Sequence, residues 1–155
     1  MRSRNSNENW KMNTKNLNDN RDRFIACLNA VPACQPRDGD SDWFPAVDVT
    51  EAEQEYVFDV DLPGLKAEEI QLRVDSNGLS ISGERVPRHP GGKRVRVERP
   101  SGAFVRQLPL PTDVHGEIRA TFGDGVLELH VPRACADSEP GTAQAVAREL
   151  EEVAP

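Results

Sequence analysis

The chain has no apolar run that approaches the ~18 residues needed to cross a bilayer. Its first twenty residues are polar and contain seven Asn, so they do not read as a secretory signal. Positive charge is also scarce, because the chain has 19 Lys and Arg against 26 Asp and Glu, which gives a net charge of -7. Proteins that bind nucleic acids or anionic membranes are usually basic. We therefore expect a cytoplasmic protein with no nucleic-acid partner and no membrane partner.

Catalytic signatures are missing as well. The chain contains no P-loop, no G-x-S-x-G and no H-E-x-x-H motif. Asp59 and Asp61 share one strand face, and paired carboxylates can perform acid–base chemistry. No His or second polar cluster is aimed at them, so an enzyme is the weaker class. We expect no catalytic residue and no cofactor.

Cysteine is scarce and odd in number, with Cys27 and Cys34 near one end and Cys135 near the other. In the cytosol these thiols stay reduced. Together with His130 they form a conceivable zinc ligand set, but their spacing matches no compact metal motif. We expect no metal site, and Cys27 and Cys34 are then ordinary small apolar residues.

What the chain does contain falls into three zones. Residues 1–42 are predicted to be a variable, largely disordered segment, because so polar a composition cannot offset the entropy lost on ordering. Inside it, helical spacing of apolar residues before Pro32 predicts a short helix near residues 22–31. Residues 134–155 form an acidic tail with a second, marginal helical pattern. The two patterns are carried by Phe24, Ile25, Leu28 and Val31, and by Val146, Leu150 and Val153.

Residues 43–133 are dominated by alternation of apolar and polar side chains, which is typical of half-buried strands. Turn signals such as Pro63-Gly64 and Ser76-Asn77-Gly78 separate the segments. Many short strands without a helical period predict an all-β antiparallel sandwich or barrel. The predicted strands cover Val47–Val49, Tyr56–Leu62, Ile70–Val74, Leu79 to Gly83, Arg94–Glu98, Phe104–Leu110 and the hairpin from Ile118 to Val131.

Five segments of this zone, in order, resemble the α-crystallin domain of small heat-shock proteins over residues 43–133. The resemblance implies an immunoglobulin-like antiparallel β-sandwich with flexible N- and C-terminal tails. It also implies an ATP-independent holdase that binds non-native client proteins and prevents their aggregation under stress. The segments are Trp43-Phe44-Pro45-Ala46-Val47-Asp48-Val49, Val60-Asp61-Leu62-Pro63-Gly64-Leu65, Leu79-Ser80-Ile81-Ser82-Gly83-Glu84-Arg85, the E-R-x-x-G-x-F-x-R run from Glu98 to Arg106, and the A-x-x-x-x-G-V-L run from Ala120 to Leu127.

The resemblance further implies a two-fold homodimer. The long connection from Arg85 to Lys93 cannot form a tight hairpin and carries the predicted Arg94–Glu98 strand away from its own sheet. The resemblance implies that this strand pairs with the opening strand of a second copy. A disordered surface loop is the alternative. Arg106 lies on the same strand face as Phe104 and Leu108, so its charge needs a partner. The resemblance implies that it lies at the dimer interface and contacts acidic residues of the second copy. The alternative is that its long side chain extends from an edge strand so that the guanidinium reaches solvent. The predicted interface residues are Val47, Asp48, Val49, Arg94, Val95, Arg96, Val97 and Arg106.

Client contacts are expected in the N-terminal segment and in a groove between the strands at Ile70–Val74 and Ile118–Phe122. The family usually carries an I-x-I/V motif after the last strand, which docks into this groove and builds large cages. No such tripeptide follows Val131, so we expect dimers or small, polydisperse oligomers. The predicted client and groove residues are Trp10, Phe24, Ile25, Leu28, Ile70, Leu72, Val74, Ile118, Ala120 and Phe122.

Charge is unevenly distributed. The stretch from Arg85 to Arg99 contains six basic residues and one acidic residue, whereas residues 134–155 contain five acidic residues and one basic residue. A basic band can bind phosphate, but it is more often a solvated loop or meets an acidic patch on the same protein or on a second copy. Since fold does not fix function, a co-chaperone-like interaction module of the β-sandwich type remains the second functional hypothesis.

Overall fold

In the computed structural model, residues 21–30, 43–75, 78–133 and 151–152 are described, together with Asp19. Residues 21–30 form the helix α1, and Ala67–Glu69 form a short 3-10 helix. Within the described ranges, no helix has the length and apolar character needed to span a bilayer. The strands are β1 (Val47–Glu51), β2 (Glu55–Asp61), β3 (Ile70–Asp75), β4 (Gly78–Arg85), β5 (Gly102–Leu108), β6 (Arg119–Gly123), β7 (Val126–Pro132) and β8 (Glu151–Glu152).

These strands form two sheets around one core. The larger sheet has the order β1-β2-β7-β6-β8, and the smaller has the order β3-β4-β5. The ladders are antiparallel, except for the two-residue parallel ladder between β6 and β8. The predicted antiparallel β-sandwich is therefore confirmed.

The core follows the alternation of the strands. In β2 and β7 every second residue is enclosed, because successive side chains point to opposite faces of a sheet. The residues between are half-buried, except Asp61, which is exposed. The smaller sheet adds the enclosed residues of β4 and β5 from the other side. The largest enclosed side chains include Tyr56, Phe58, Leu62, Leu79, Ile81, Phe104, Leu127 and Leu129.

The hairpin between β6 and β7 closes through a two-residue turn. Gly123 pairs with Val126, and both Asp124 (φ 51) and Gly125 (φ 80) have the left-handed backbone that such tight turns require. The Gly125 carbonyl accepts a 2.7 Å hydrogen bond from the Leu62 backbone. The hairpin tip is thereby tied to the end of β2.

The end of β4 is one of the strand ends that differ from the sequence-based prediction. The predicted strand ends at Gly83, whereas β4 continues to Arg85. Gly83 does not serve to break the strand. A Cβ at this position would lie 2.6 Å from the Glu69 carbonyl oxygen and 3.0 Å from the Phe104 ring, so glycine allows the backbone and an aromatic ring to approach closely.

Helix α1 packs onto the sandwich. Phe24 is 4% exposed and joins the core, with its ring 4.8 Å from that of Tyr56 in an edge-to-face arrangement. Arg21 donates to Glu51 at 2.7 Å and ties the helix to the end of β1. Helix α1 lies where the sequence predicts a short helix. The predicted second helix includes residues 151–152, which form the strand β8 and not a helix, because their backbone pairs with β6. The rest of that predicted helix, Trp10, Cys34 and Cys135 lie outside the described residues.

Candidate functional site

Strand β1 is the terminal strand of the larger sheet. It pairs with β2 along one side, and no other strand of the described chain pairs with its second side. Val47 and Val49 are half-buried and pack against the core, whereas Asp48 and Thr50 are exposed on the opposite face. An unpaired edge presents backbone donors and acceptors to another strand. Three predicted interface residues therefore lie together on an available edge.

The segment 94–98 lies in the long connection between β4 and β5. Alternation predicts a strand here, but these residues form no strand in the described chain. Val95 is 92% exposed and Val97 is 56% exposed, and Arg96 forms an ion pair with Glu98. A strand needs the backbone groups of a neighbouring edge, and none is paired with this segment here. Pairing with a second copy therefore stays a prediction.

The connection is anchored by a buried arginine. Arg85 is 8% exposed, and its guanidinium donates to the Pro100 carbonyl at 2.9 Å and to the Pro63 carbonyl at 3.2 Å. It also stacks 3.9 Å above the Trp43 ring, whose indole N–H donates to the Gly102 carbonyl. Burial, and then the nearby charge of Arg99, lower the pKa of Arg85. This residue fixes the root of the 86–101 connection.

The sequence-based interpretation placed Arg85 in a basic band and missed this anchoring role. The missed signal was strand parity, since Arg85 shares the face of Leu79 and Ile81, both of which are buried. The other basic residues of the band are exposed. Several of them line an open cavity of about 450 Å³ beside the connection: Arg88, Arg94, Arg96 and Arg99.

A second cavity, of about 400 Å³, lies between α1, β1 and β5. Arg106 lines it and is half-buried between Phe104 and Leu108, in agreement with the predicted shared face. Tyr56 also lines the cavity, and burial raises the pKa of its hydroxyl. The helix and β1 sides of the cavity carry both apolar and polar residues: Phe24, Ile25, Leu28 and Asn29 on α1, and Val47, Val49 and Glu51 on β1.

The predicted client residues differ in accessibility. Phe24 is enclosed, so it contacts no other protein while α1 stays docked, whereas Ile25 and Leu28 are half-buried beside the cavity. Among the groove residues, Ile70, Ile118 and Phe122 are core residues, and Leu72, Val74 and Ala120 are half-buried.

The two predicted groove strands belong to different sheets, as β3 and β6. β3 is an edge strand of the smaller sheet. The edge of β6 is paired with residues 151–152, with Thr121 opposite Glu151 and Phe122 opposite Glu152. The described chain thus places its own C-terminal backbone along β6, a pairing that the sequence did not reveal.

The outer face of the larger sheet carries an acidic row. Asp48 lies opposite Asp59, and Asp59 lies opposite Glu128, so three carboxylates cross β1, β2 and β7 side by side. His130 contacts Glu128 at 2.6 Å and Glu55 at 3.0 Å. Burial opposes the charged ring, but these hydrogen bonds outweigh it and raise the pKa of His130.

In the part of the chain that the structure describes, no group of three or more His, Cys, Asp or Glu is arranged to hold a metal ion. Of the conceivable zinc ligands, Cys27 is exposed on α1 and His130 is held by two glutamates.

Several known proteins are similar to this chain. A family profile described as the Hsp20/alpha crystallin family matches residues 48–146. The chain is 40% identical over 119 residues to the 16.9 kDa class I heat shock protein 1 of Triticum aestivum, covering 73% of this chain and 79% of that protein. It is 46% identical over 92 residues to the 18.1 kDa class I heat shock protein of Arabidopsis thaliana, covering 57% of each.

Two solved structures share the fold. A small heat-shock protein from Xylella fastidiosa, reported to have a distinct high order structure, has a TM-score of 0.56 at 32% identity, over 67% of this chain and 97% of that chain. Heat shock protein 16.0 from Schizosaccharomyces pombe has a TM-score of 0.61 at 27% identity, over 86% of this chain and 93% of that chain. The sandwich therefore shares its fold with these two heat-shock proteins.

Proposed function

The chain belongs to the Hsp20/alpha crystallin family, and from this premise we propose that it is an ATP-independent chaperone in the cytoplasm. In this role it binds non-native proteins and prevents their aggregation under stress, without a catalytic step. The observation that supports the proposal most is the set of half-buried apolar side chains on α1, β3 and β6, which are Ile25, Leu28, Leu72, Val74 and Ala120. Exposed strand edges and apolar surfaces are the features that bind other unfolded chains.

We propose a homodimer as the working unit, built on residues 43–133. In it, residues 94–98 of each copy pair with β1 of the other, and the exposed Val95 and Val97 become buried. Arg106 lies near this junction, because it lines the cavity next to Val47 and Val49. Dimers then remain dimers or form small oligomers, since no I-x-I/V motif follows β7.

We propose that clients bind where apolar side chains are reachable. Among the described residues these are the helix residues Ile25 and Leu28 and the half-buried groove residues Leu72, Val74 and Ala120, while Trp10 stays a predicted client residue on sequence grounds alone. Undocking of α1 would add the surface that Phe24 covers on Tyr56 and Phe58.

An aggregation assay tests the proposal. A heat-labile client is warmed without nucleotide, and its light scattering is followed with and without a near-stoichiometric amount of this protein. Scattering is expected to fall strongly, and an equal mass of an inert protein serves as the control. Unchanged scattering at several temperatures would overturn the holdase function and leave the interaction module as the better hypothesis.

The dimer is tested separately by replacing residues 88–98 with a short Gly-Ser linker. Arg85 and Gly102 face each other in the β4–β5 ladder, so the gap can be closed without distorting the sandwich. Light scattering with size separation should then report a monomer. A variant that stays dimeric would contradict the exchange of residues 94–98.

A further inference from the structure

The cavity beside the β4–β5 connection carries a strong excess of positive charge. Its volume is about 450 Å³, and five arginines and one histidine line it against a single acidic residue. That residue, Glu98, accepts a 2.8 Å hydrogen bond from Arg96. Within the described ranges, no carboxylate pairs with the other four arginines of the lining. They are Arg85, Arg88, Arg94 and Arg99.

The most deeply placed of these charges belongs to Arg85, which is 8% exposed. A guanidinium has five N–H groups. One N–H on each of the three nitrogens of Arg85 donates to the carbonyl of Pro63 or Pro100, which leaves two N–H groups for another acceptor. A buried charge is costly unless an opposite charge pairs with it. An anion in the cavity would therefore complete the surroundings of this guanidinium.

Arg99 places a second guanidinium beside the first. A Cβ at Gly64 would lie 3.3 Å from Nη2 of Arg99 and 3.9 Å from Cδ of Arg85, so both side chains lie against the same glycine. After burial, the charge of Arg99 is the second cause that lowers the pKa of Arg85. Two like charges held close together repel each other unless an anion joins them. Guanidinium groups bind phosphate through parallel, charge-assisted hydrogen bonds.

The lining narrows the class of anion. The cavity volume falls within the range of small-molecule sites, about 300–1,000 Å³, and exceeds what a single phosphate group fills. Among the described residues that line it, none is Phe, Tyr or Trp, so no such ring is present for a nucleobase to stack on. The exposed arginines are spread along the connection from Arg88 to Arg99, which suits a row of phosphoryl groups.

We propose that this cavity binds an inorganic oligophosphate. Arg85 and Arg99 hold one phosphoryl group between them, and the exposed arginines of the connection hold its neighbours. The ligand supplies the counter-charge that the described chain does not give to these residues. A basic surface that merely attracts anions from solution needs no buried arginine with free donors, whereas a binding site does.

Oligophosphate binding and the proposed dimer share two residues. Arg94 and Arg96 line the cavity of a single copy and also belong to the segment that we propose to pair with a second copy. Bound oligophosphate therefore favours the single copy, and by linkage dimerisation weakens oligophosphate binding by the same factor. This coupling rests on the proposed function. The site itself does not, because Arg85, Arg88 and Arg99 lie outside residues 94–98.

Calorimetric titration tests the site. Sodium tripolyphosphate is titrated into the full chain at constant ionic strength, with sodium phosphate and ATP as comparison ligands. We expect one saturable tripolyphosphate site per chain, weaker binding of phosphate, and no tighter binding of ATP than of tripolyphosphate. Arg99→Gln should raise the dissociation constant for tripolyphosphate about tenfold or more, because hydrogen bonds between opposite charges are lost.

Lys93→Gln is the matched control. It removes one positive charge from the same connection, but Lys93 is exposed and is not among the residues that line the cavity. Its dissociation constant should stay within about twofold of the wild-type value, because an exposed charge contributes little. Urea unfolding gives a second readout. Saturating tripolyphosphate should raise the unfolding midpoints of the wild type and Lys93→Gln, and should raise that of Arg99→Gln much less.

Equal weakening by the two substitutions would show diffuse attraction to the basic band and would overturn the site, as would binding that never saturates. Markedly tighter binding of ATP would overturn the inorganic ligand in favour of a nucleotide. The coupling is read by light scattering, since tripolyphosphate should lower the average mass of the wild type at protein concentrations near the dimer dissociation constant. If the mass is unchanged while Arg99→Gln loses binding, the coupling is wrong and the site stands.

Discussion

Replacement of Arg85 by methionine tests whether one buried side chain controls the connection that carries the proposed dimer strand. Met has a similar length but no charge and no donors. The change removes the hydrogen bonds to the carbonyls of Pro63 and Pro100 and the stacking over Trp43. The strand ladder of β4 is left intact, because Arg85 pairs with Gly102 through its backbone.

The expected magnitude follows from these contacts. Hydrogen bonds from a charged donor contribute about 1.5–3 kcal/mol, and a cation–π contact about 0.5–2 kcal/mol. Two effects reduce the loss: the buried guanidinium no longer has to be desolvated, and Pro63 and Pro100 lie at the surface, where water can replace the donor. We expect a net loss of about 2 kcal/mol.

Urea unfolding at a fixed protein concentration measures this loss. With a slope of about 1–3 kcal/mol per M for a small domain, a loss of about 2 kcal/mol lowers the midpoint by about 0.7–2 M. The dimer dissociation constant should also rise, because the connection is no longer held at its root. Arg88→Met is the matched control, since Arg88 is exposed in the same connection. Equal midpoints and equal dissociation constants for the two variants would refute the anchoring role.

Three further predictions concern other parts of the sandwich. Gly83→Ala should lower the free energy of unfolding in urea by about 1–3 kcal/mol, because the new Cβ meets the Glu69 carbonyl and the Phe104 ring. Gly91→Ala is the control and should be nearly neutral, since nothing lies within 4 Å of its new Cβ. Equal effects of the two substitutions would contradict the close approach at Gly83. Phe24→Ala should lower the free energy of unfolding by about 2–3 kcal/mol, which is less than the loss at a fully enclosed Phe because α1 can undock. A thermal midpoint equal to that of the wild type would show that the helix does not pack there. His130→Gln should lower the free energy of unfolding most below about pH 6.5, because the contacts with Glu55 and Glu128 stabilise the charged ring. The loss should shrink as the pH rises through the raised pKa of His130 in the folded protein. A loss of stability that does not change with pH would contradict this.

The strands β1 to β7 could be predicted from the sequence because each of them obeys one local rule. In β7, for example, Leu127, Leu129 and Val131 are all enclosed, as their alternation predicts. The turn at Asp124 and Gly125 was equally readable, since its positive φ values require residues of that kind. Patterns of this sort depend only on neighbours in the sequence.

The parts that escaped prediction depend on contacts between distant residues. In the sequence Arg85 resembles the exposed basic residues around it. Its buried position depends on hydrogen bonds from its guanidinium to the carbonyls of Pro63 and Pro100, which are distant in the chain. The docking of Phe24 on Tyr56 joins residues far apart in the chain, so the helical pattern alone gave the helix without its position. The pairing of residues 151–152 with β6 is a backbone contact and leaves no trace in side-chain alternation.

The measurement that tests the central claim most directly is the recovery of a soluble complex with a client. A heat-labile client is warmed with this protein in the absence of nucleotide, and the supernatant is separated by size with light scattering on the eluate. The account predicts a soluble species heavier than the dimer that contains both proteins. It is contradicted if the whole client is found in the pellet while this protein elutes unchanged.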